Sequence, residues 1–201
     1  MTTARAALPL LVLSCLAAPA AAQGPGPYLR VSLGAARVEA PGDRFQTEPV
    51  AQPSAALGIG PGGGRSVELR AAWLRTETTE RIPDGAPRGD APSTVGIRAL
   101  QLGAAVQNRL PFPGERVYPV VALGASWTSV VDTWESDTPQ ESRRTSVWGA
   151  DASAALVARL AGPASLVARG GYRFAGDGDG RPVRTIGLSG AFADVGLQLG
   201  L

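Results

Sequence analysis

The sequence predicts an all-β protein folded as an eight-stranded antiparallel up-and-down barrel. Three observations point there. Apolar residues recur at every second position through eight stretches, the period of a strand and not of a helix. The segments between these stretches alternate strictly between long polar ones and short ones rich in Gly and Pro. The closing stretch carries its alternation through Val195, Leu197, Leu199 and Leu201. A loose polar tail would not do that.

The elements follow in order. Residues 1–22 read as a cleaved signal peptide. Arg5 supplies the positive region, Ala6 to Leu16 the apolar run, and Ala20 and Ala22 the small residues before Gln23. That run is shorter than the roughly 20 residues a spanning helix needs. The single Cys15 lies inside it. Cleavage before Cys15 with acylation is the alternative, and Leu13 and the downstream Ala-rich site fit it poorly. Residues 23–201 then form one barrel domain with no thiol to form a disulfide.

The first strand pattern runs through Leu29, Val31, Leu33 and Ala35, and the second through Ala55, Leu57 and Ile59. The third uses Val67, Leu69, Ala71 and Trp73, and the fourth Leu100, Leu102, Ala104 and Val106. The fifth runs from Pro119 to Trp127 and the sixth from Trp148 to Leu156. The seventh runs from Leu166 to Phe174, and the eighth from about Thr185 to Leu201. The eighth falls out of phase around Ser189 to Ala193, which predicts a bulge. Residues 61–65, 111–115 and 161–165 are the short turns. Residues 40–53, 78–93, 132–144 and 175–184 are the long loops.

The pattern fits a soluble barrel with apolar residues inside, or a transmembrane one with them facing lipid. The second fits better. The other face is mostly Gly, Ser, Ala and Gln with isolated charges, which suits a narrow interior. The aromatic residues Trp73, Trp127, Trp148, Tyr172 and Phe174 lie toward the long-loop end, and Phe112 and Tyr118 toward the other. Aromatic girdles at both interfaces are a mark of membrane barrels. The expected fold is therefore a transmembrane β-barrel after a signal peptide. Both termini lie on the side of the short turns, and the long loops face outside.

Over roughly residues 27 to 201 the chain resembles the small outer-membrane β-barrels of the OmpA/OmpX-like family. The resemblance rests on the alternation, the loop asymmetry and the last strand. It implies a place in the bacterial outer membrane, contact with its lipid, and insertion by the outer-membrane assembly machinery. That family closes its last strand on Phe or Trp, where this chain has Leu201.

Little points to catalysis or to a cofactor. All basic residues are Arg, histidine is absent, and the formal charge is +2. No basic run suggests nucleic acid. The stretch 58–63, GIGPGG, lacks the following helix that a dinucleotide site needs. DGDG at 177–180 supplies too few oxygens for calcium, which takes six to eight. The outer-membrane enzyme families use a histidine, so their mechanism cannot be carried over. No enzyme activity, metal or cofactor is expected.

The inward charges Arg30, Glu68, Arg70, Asp151, Arg169, Arg173 and Asp194 should form a lumenal polar network, because buried charges must pair. Asp151 and Arg169 are the expected neighbours across strands 6 and 7. An eight-stranded barrel is just wide enough for its side chains, so the network should plug it. The expected role is structural or surface-interacting, with an extracellular ligand reached through the long loops. A narrow passive channel or a lipocalin-like binder of small apolar ligands is the alternative.

Overall fold

The computed structural model describes residues 26–37, 49–62, 64–81, 92–113, 116–135, 141–176 and 189–201. The signal-peptide segment, Cys15 and DGDG lie outside these residues. Eight strands form a closed barrel in sequence order. They are β1 (Tyr28–Ala36), β2 (Val50–Gly62), β3 (Arg65–Arg81), β4 (Pro92–Arg109), β5 (Val117–Glu135), β6 (Glu141–Arg159), β7 (Ala164–Ala175) and β8 (Gly190–Gly200). Every neighbouring pair is antiparallel, and β1 pairs with β8 from Tyr28↔Gly200 to Ala36↔Phe192. Closure leaves no sheet edge within the barrel wall, which hydrocarbon would not tolerate.

The alternation runs with the apolar face outward. Leu33, Leu69, Leu102, Leu199 and Val195 are all exposed. Their neighbours Ser32, Glu68, Gln198 and Asp194 are buried. In water this would be an inside-out protein. In lipid it is the stable arrangement, because the outward band meets acyl chains and the polar groups find one another inside. Leu69 lies midway along the outward row from Val67 to Trp73, so Leu69→Arg should weaken folding into vesicles by about 2–4 kcal/mol. A denaturant titration in bilayers measures this. An unchanged midpoint would mean that this face does not contact lipid.

The short turns reverse the chain with few residues. Gly64 (φ 79°) and Gly162 (φ 60°) occupy the left-handed region, which glycine adopts without steric cost. GIGPGG is thus the end of β2 and part of the β2–β3 hairpin, not a phosphate loop.

Two expectations about the strands are corrected. The pairing of β8 with β7 and β1 runs without a break from Gly190 to Gly200. No bulge lies there. The apparent phase error is Phe192, a large apolar residue on the inward face and 8% exposed. The register shift lies instead between Ile59 and Gly62 in the β2–β3 ladder. The second and third long loops are also shorter than the polar segments suggested, while the fourth is longer, with β7 ending at Ala175 and β8 beginning at Gly190. β3 continues to Arg81, β4 begins at Pro92, β5 reaches Glu135 and β6 begins at Glu141.

Candidate functional site: the sealed lumen and the strand wall

The interior is built in tiers. Nearest the short turns, Tyr118, Val157 and Val167 form a buried apolar cluster, and they are direct ladder neighbours across β5, β6 and β7. The Arg109 guanidinium stacks 4.1 Å from the Tyr118 ring centre, and that of Arg159 lies 5.7 Å away. Tyr118 is therefore not part of a lipid-facing girdle. Its position shares the inward parity of Ala122 and Ser126, and it is 3% exposed. Phe112, in the β4–β5 connection, is exposed as expected.

The middle tier is ionic. Glu68, on β3, is fully buried. Its carboxylate accepts hydrogen bonds from Arg30 Nη2 at 2.6 Å and from the Tyr28 hydroxyl at 2.7 Å. Arg70 Nε lies 3.2 Å and Arg169 Nη1 3.6 Å from the same carboxylate. Arg70 reaches on to Asp151 at 2.9 Å. Arg169 is held by Asp194, with Nε (2.7 Å) and Nη2 (2.6 Å) both reaching the single oxygen Oδ2. The expected Asp151–Arg169 pairing is thereby corrected. Arg159 pairs with Ser165, and counting inward along both strands puts Asp151 opposite Arg173, while Arg169 faces Ala155. Asp151 takes its cation from across the barrel.

Two glycines leave room for this tier. A Cβ at Gly58 would run into the Tyr28 ring. At Gly124 it would come within 2.5 Å of Asp151 Oδ2 and 2.8 Å of Arg70 Nη2. Glycine here reflects space rather than backbone conformation.

Arg173 stands at the upper boundary of the ionic tier. Its guanidinium lies 5.5 Å from the Phe192 ring centre, and Arg169 approaches the same ring to 5.4 Å, within cation–π range. Above them Ala36, Leu74, Ala99, Val130 and Phe192 form a second buried apolar cluster. Among the described residues two small cavities lie in the lumen, of about 20 and 30 Å³. Each has room for a water or two, and Arg169 lines both. Among the described residues the charges thus lie between two buried apolar clusters.

The girdle residues lie on the outward face near the long-loop end. Trp73, Trp148 and Phe174 are exposed, and Trp127 and Tyr172 are partly covered. Trp127 stands directly opposite Trp148, and the Tyr172 and Phe174 rings pack 4.7 Å apart.

Beyond this aromatic level the described strands end at different heights. The β2–β3 ladder ends at Ser54↔Ala72, whereas β3–β4 continues to Arg81↔Pro92. β4–β5 reaches Thr94↔Glu135, and β5–β6 reaches Trp134↔Glu141. The β6–β7 ladder ends at Gly149↔Ala175. Four strands thus rise as a wall, about 25 Å along β3 past Trp73 at 3.3 Å per residue. Among the described residues, neither the β3 edge past Trp73 nor the β6 edge before Trp148 has a ladder partner. The inward polar residues were legible from parity. The wall and the inward Tyr28, Leu74, Val130 and Phe192 were not, although the parity of Asp194 already placed Phe192 inside.

The family model for the outer membrane protein beta-barrel domain matches residues 8–173. OprG of Pseudomonas aeruginosa is similar in structure, with a TM-score of 0.63 at 12% identity over 91% of this chain and 99% of that one. Ail of Yersinia pestis gives 0.58 at 13% identity, over 89% and 99%. The Neisserial surface protein NspA gives 0.57 at 12%, over 88% and 97%. At these identities the likeness is one of fold. Ail has also been crystallised with the heparin analogue sucrose octasulfate. No curated protein sequence matches the chain.

Proposed function

Because the chain belongs to the outer membrane protein beta-barrel domain family and is an outer-membrane β-barrel protein, we propose that it is a non-catalytic surface-interaction protein. The barrel is an anchor, and the β3–β6 wall is the working part. The carrying observation is that wall. It extends past the aromatic level with its β3 edge, from Trp73 to Arg81, outside any ladder with β2 among the described residues. An edge strand offers a row of N–H and C=O groups to which an extended segment of another protein can add by β-augmentation. The sealed lumen supports the anchor reading over the passive-channel one. In this reading the outward band contacts outer-membrane lipid, the outer-membrane assembly machinery inserts the chain, and the extracellular ligand is reached through the wall and its loops.

The test removes the wall and keeps the barrel. Replacing 76–97 by a tight turn from Arg75 to Arg98, which takes away the β3–β4 part of the wall with its β3 edge, should leave insertion intact. Adhesion of expressing cells to immobilised extracellular proteins should fall at least about tenfold, the loss of a central binding contact. Equal adhesion by the trimmed and full-length proteins would reject the reading. Stepwise conductance of the intact protein in planar bilayers would favour the channel instead.

A further inference from the structure

We propose that the lumen binds one halide-sized anion, chloride in ordinary media, in the cavity where Arg70, Arg173 and Ser126 meet. Two independent observations carry this. The ionic tier holds more cations than carboxylates, and hydrogen-bond donors without acceptors converge on one cavity within it.

Among the described residues, the inward charges between the two apolar clusters are Arg30, Arg70, Arg169 and Arg173 against Glu68, Asp151 and Asp194. Arg30 closes on Glu68 at 2.6 Å, Arg70 on Asp151 at 2.9 Å and Arg169 on Asp194 at 2.6 Å. Each carboxylate thus has its own guanidinium. Arg173 stands opposite Asp151 in the ladder, but Asp151 already holds Arg70. Ala175, the next inward residue on β7, packs against the upper apolar cluster, so the tier is bounded just above Arg173. A charge left uncancelled in such surroundings is costly. A single monovalent anion balances the tier.

The cavity measures about 30 Å³, and Arg70, Arg173, Ser126, Gln52 and Gln101 line it. Arg70 Nη2, Arg173 Nε and Ser126 Oγ are buried and have no hydrogen-bond partner among the described residues. Ser126 is 3% exposed. Its room is written into the sequence, because the inward row across β3 to β6 reads Arg70, Gly103, Ser126, Gly149. With glycine on either side, no neighbouring side chain in the row covers the hydroxyl. Guanidinium N–H groups and a hydroxyl are donors, and a halide accepts from several donors at once. Asp151 and Asp194 also line the cavity, each with one oxygen lacking a hydrogen bond. A water beside the ion can donate to them. A water takes about 10–15 Å³, which leaves about half of the cavity for the ion and excludes anything as large as phosphate or sulfate.

The test is the unfolding equilibrium of the full-length protein in nonionic detergent, followed by tryptophan emission in urea. Chloride is varied at constant ionic strength against gluconate, which is too large for the cavity. Above the dissociation constant, each tenfold rise in chloride should lower the unfolded-to-folded ratio about tenfold, the dependence for one ion bound only by the folded chain. Bromide should act in the same way, and crystals grown in bromide should show one anomalous peak in the cavity. Arg173→Gln removes the surplus charge and should make the ratio independent of chloride. A ratio equal in chloride and gluconate, with water alone in the cavity, overturns the site. An Arg173→Gln variant as chloride-dependent as the unaltered protein overturns it too. If that variant fails to fold, Ser126→Ala carries the test. The chloride concentration for half the effect should then rise at least about threefold, of the order of one hydrogen bond to a charged group, and no rise overturns the site.

Discussion

Glu68→Ala should lower the stability of the folded barrel by about 3–5 kcal/mol, the usual cost of removing one member of a buried ion pair. The carboxylate is fully buried, with Arg30, Tyr28, Arg70 and Arg169 around it. Removing it leaves Arg30 buried without its anion and takes away the nearer of the two acceptors of the Tyr28 hydroxyl, leaving Gln107 Oε1 at 3.0 Å. Arg30 is 3% exposed and Tyr28 1%, so bulk water does not reach them, and the cavity of about 20 Å³ beside them has room for little more than one molecule. Glu68→Gln keeps the volume and an acceptor oxygen but not the charge, and should fall between the two. Urea unfolding in vesicles, followed by tryptophan emission, measures both variants. A loss under about 1 kcal/mol, the worth of an exposed pair, would show that water reaches this carboxylate freely. The interior would then be a wet passage and not a plug.

Deleting Val195 to Leu201 should abolish stable insertion altogether. Those residues pair with Leu33 back to Tyr28 on β1, and with Ala168 back to Ala164 on β7. Their loss opens the barrel along both seams. Each unpaired backbone N–H or C=O left in hydrocarbon costs several kcal/mol, and there is one of each on every second residue of two strands. No side-chain rearrangement offsets a sum of that size. The heat-modifiable band should disappear, and the chain should be lost from detergent-extracted outer membranes. An unchanged level of folded protein there would show that β1 and β7 can close without it.

The sequence revealed the barrel because lipid imposes a strict contrast. Leu69 alternates with Glu68 and Leu199 with Gln198 because one side of each strand faces outward to hydrocarbon and the other the polar lumen. Where that contrast ends, the reading fails. The stretch from Thr76 to Arg81 shows no apolar period and reads as loop, yet it continues β3. A strand outside the bilayer has polar surroundings on both faces, so nothing marks its period, and only the Thr content hints at extended backbone. The interior failed in a different way. Charged inward residues stand out against an apolar face, but an inward Leu74 or Val130 looks like its outward neighbours. Pairings were harder still. Asp151 and Arg169 sit near the same turn in the sequence, but the register offsets them, and Arg70 reaches Asp151 from a strand not adjacent to β6.

A cylinder standing in a membrane is the same from every compass bearing. Among the described residues this barrel is not, because its strands end high over β3 to β6 and low over β7, β8 and β1. It therefore has a heading in the plane of the bilayer. A neighbour drifting in from one quarter meets a raised backbone edge, and from the opposite quarter it meets the low rim beside Phe192. Contact above the lipid thus depends on azimuth as well as distance. Two copies brought together can meet high side to high side, low to low, or high to low, and each gives a different spacing and a different set of edges still open to the outside.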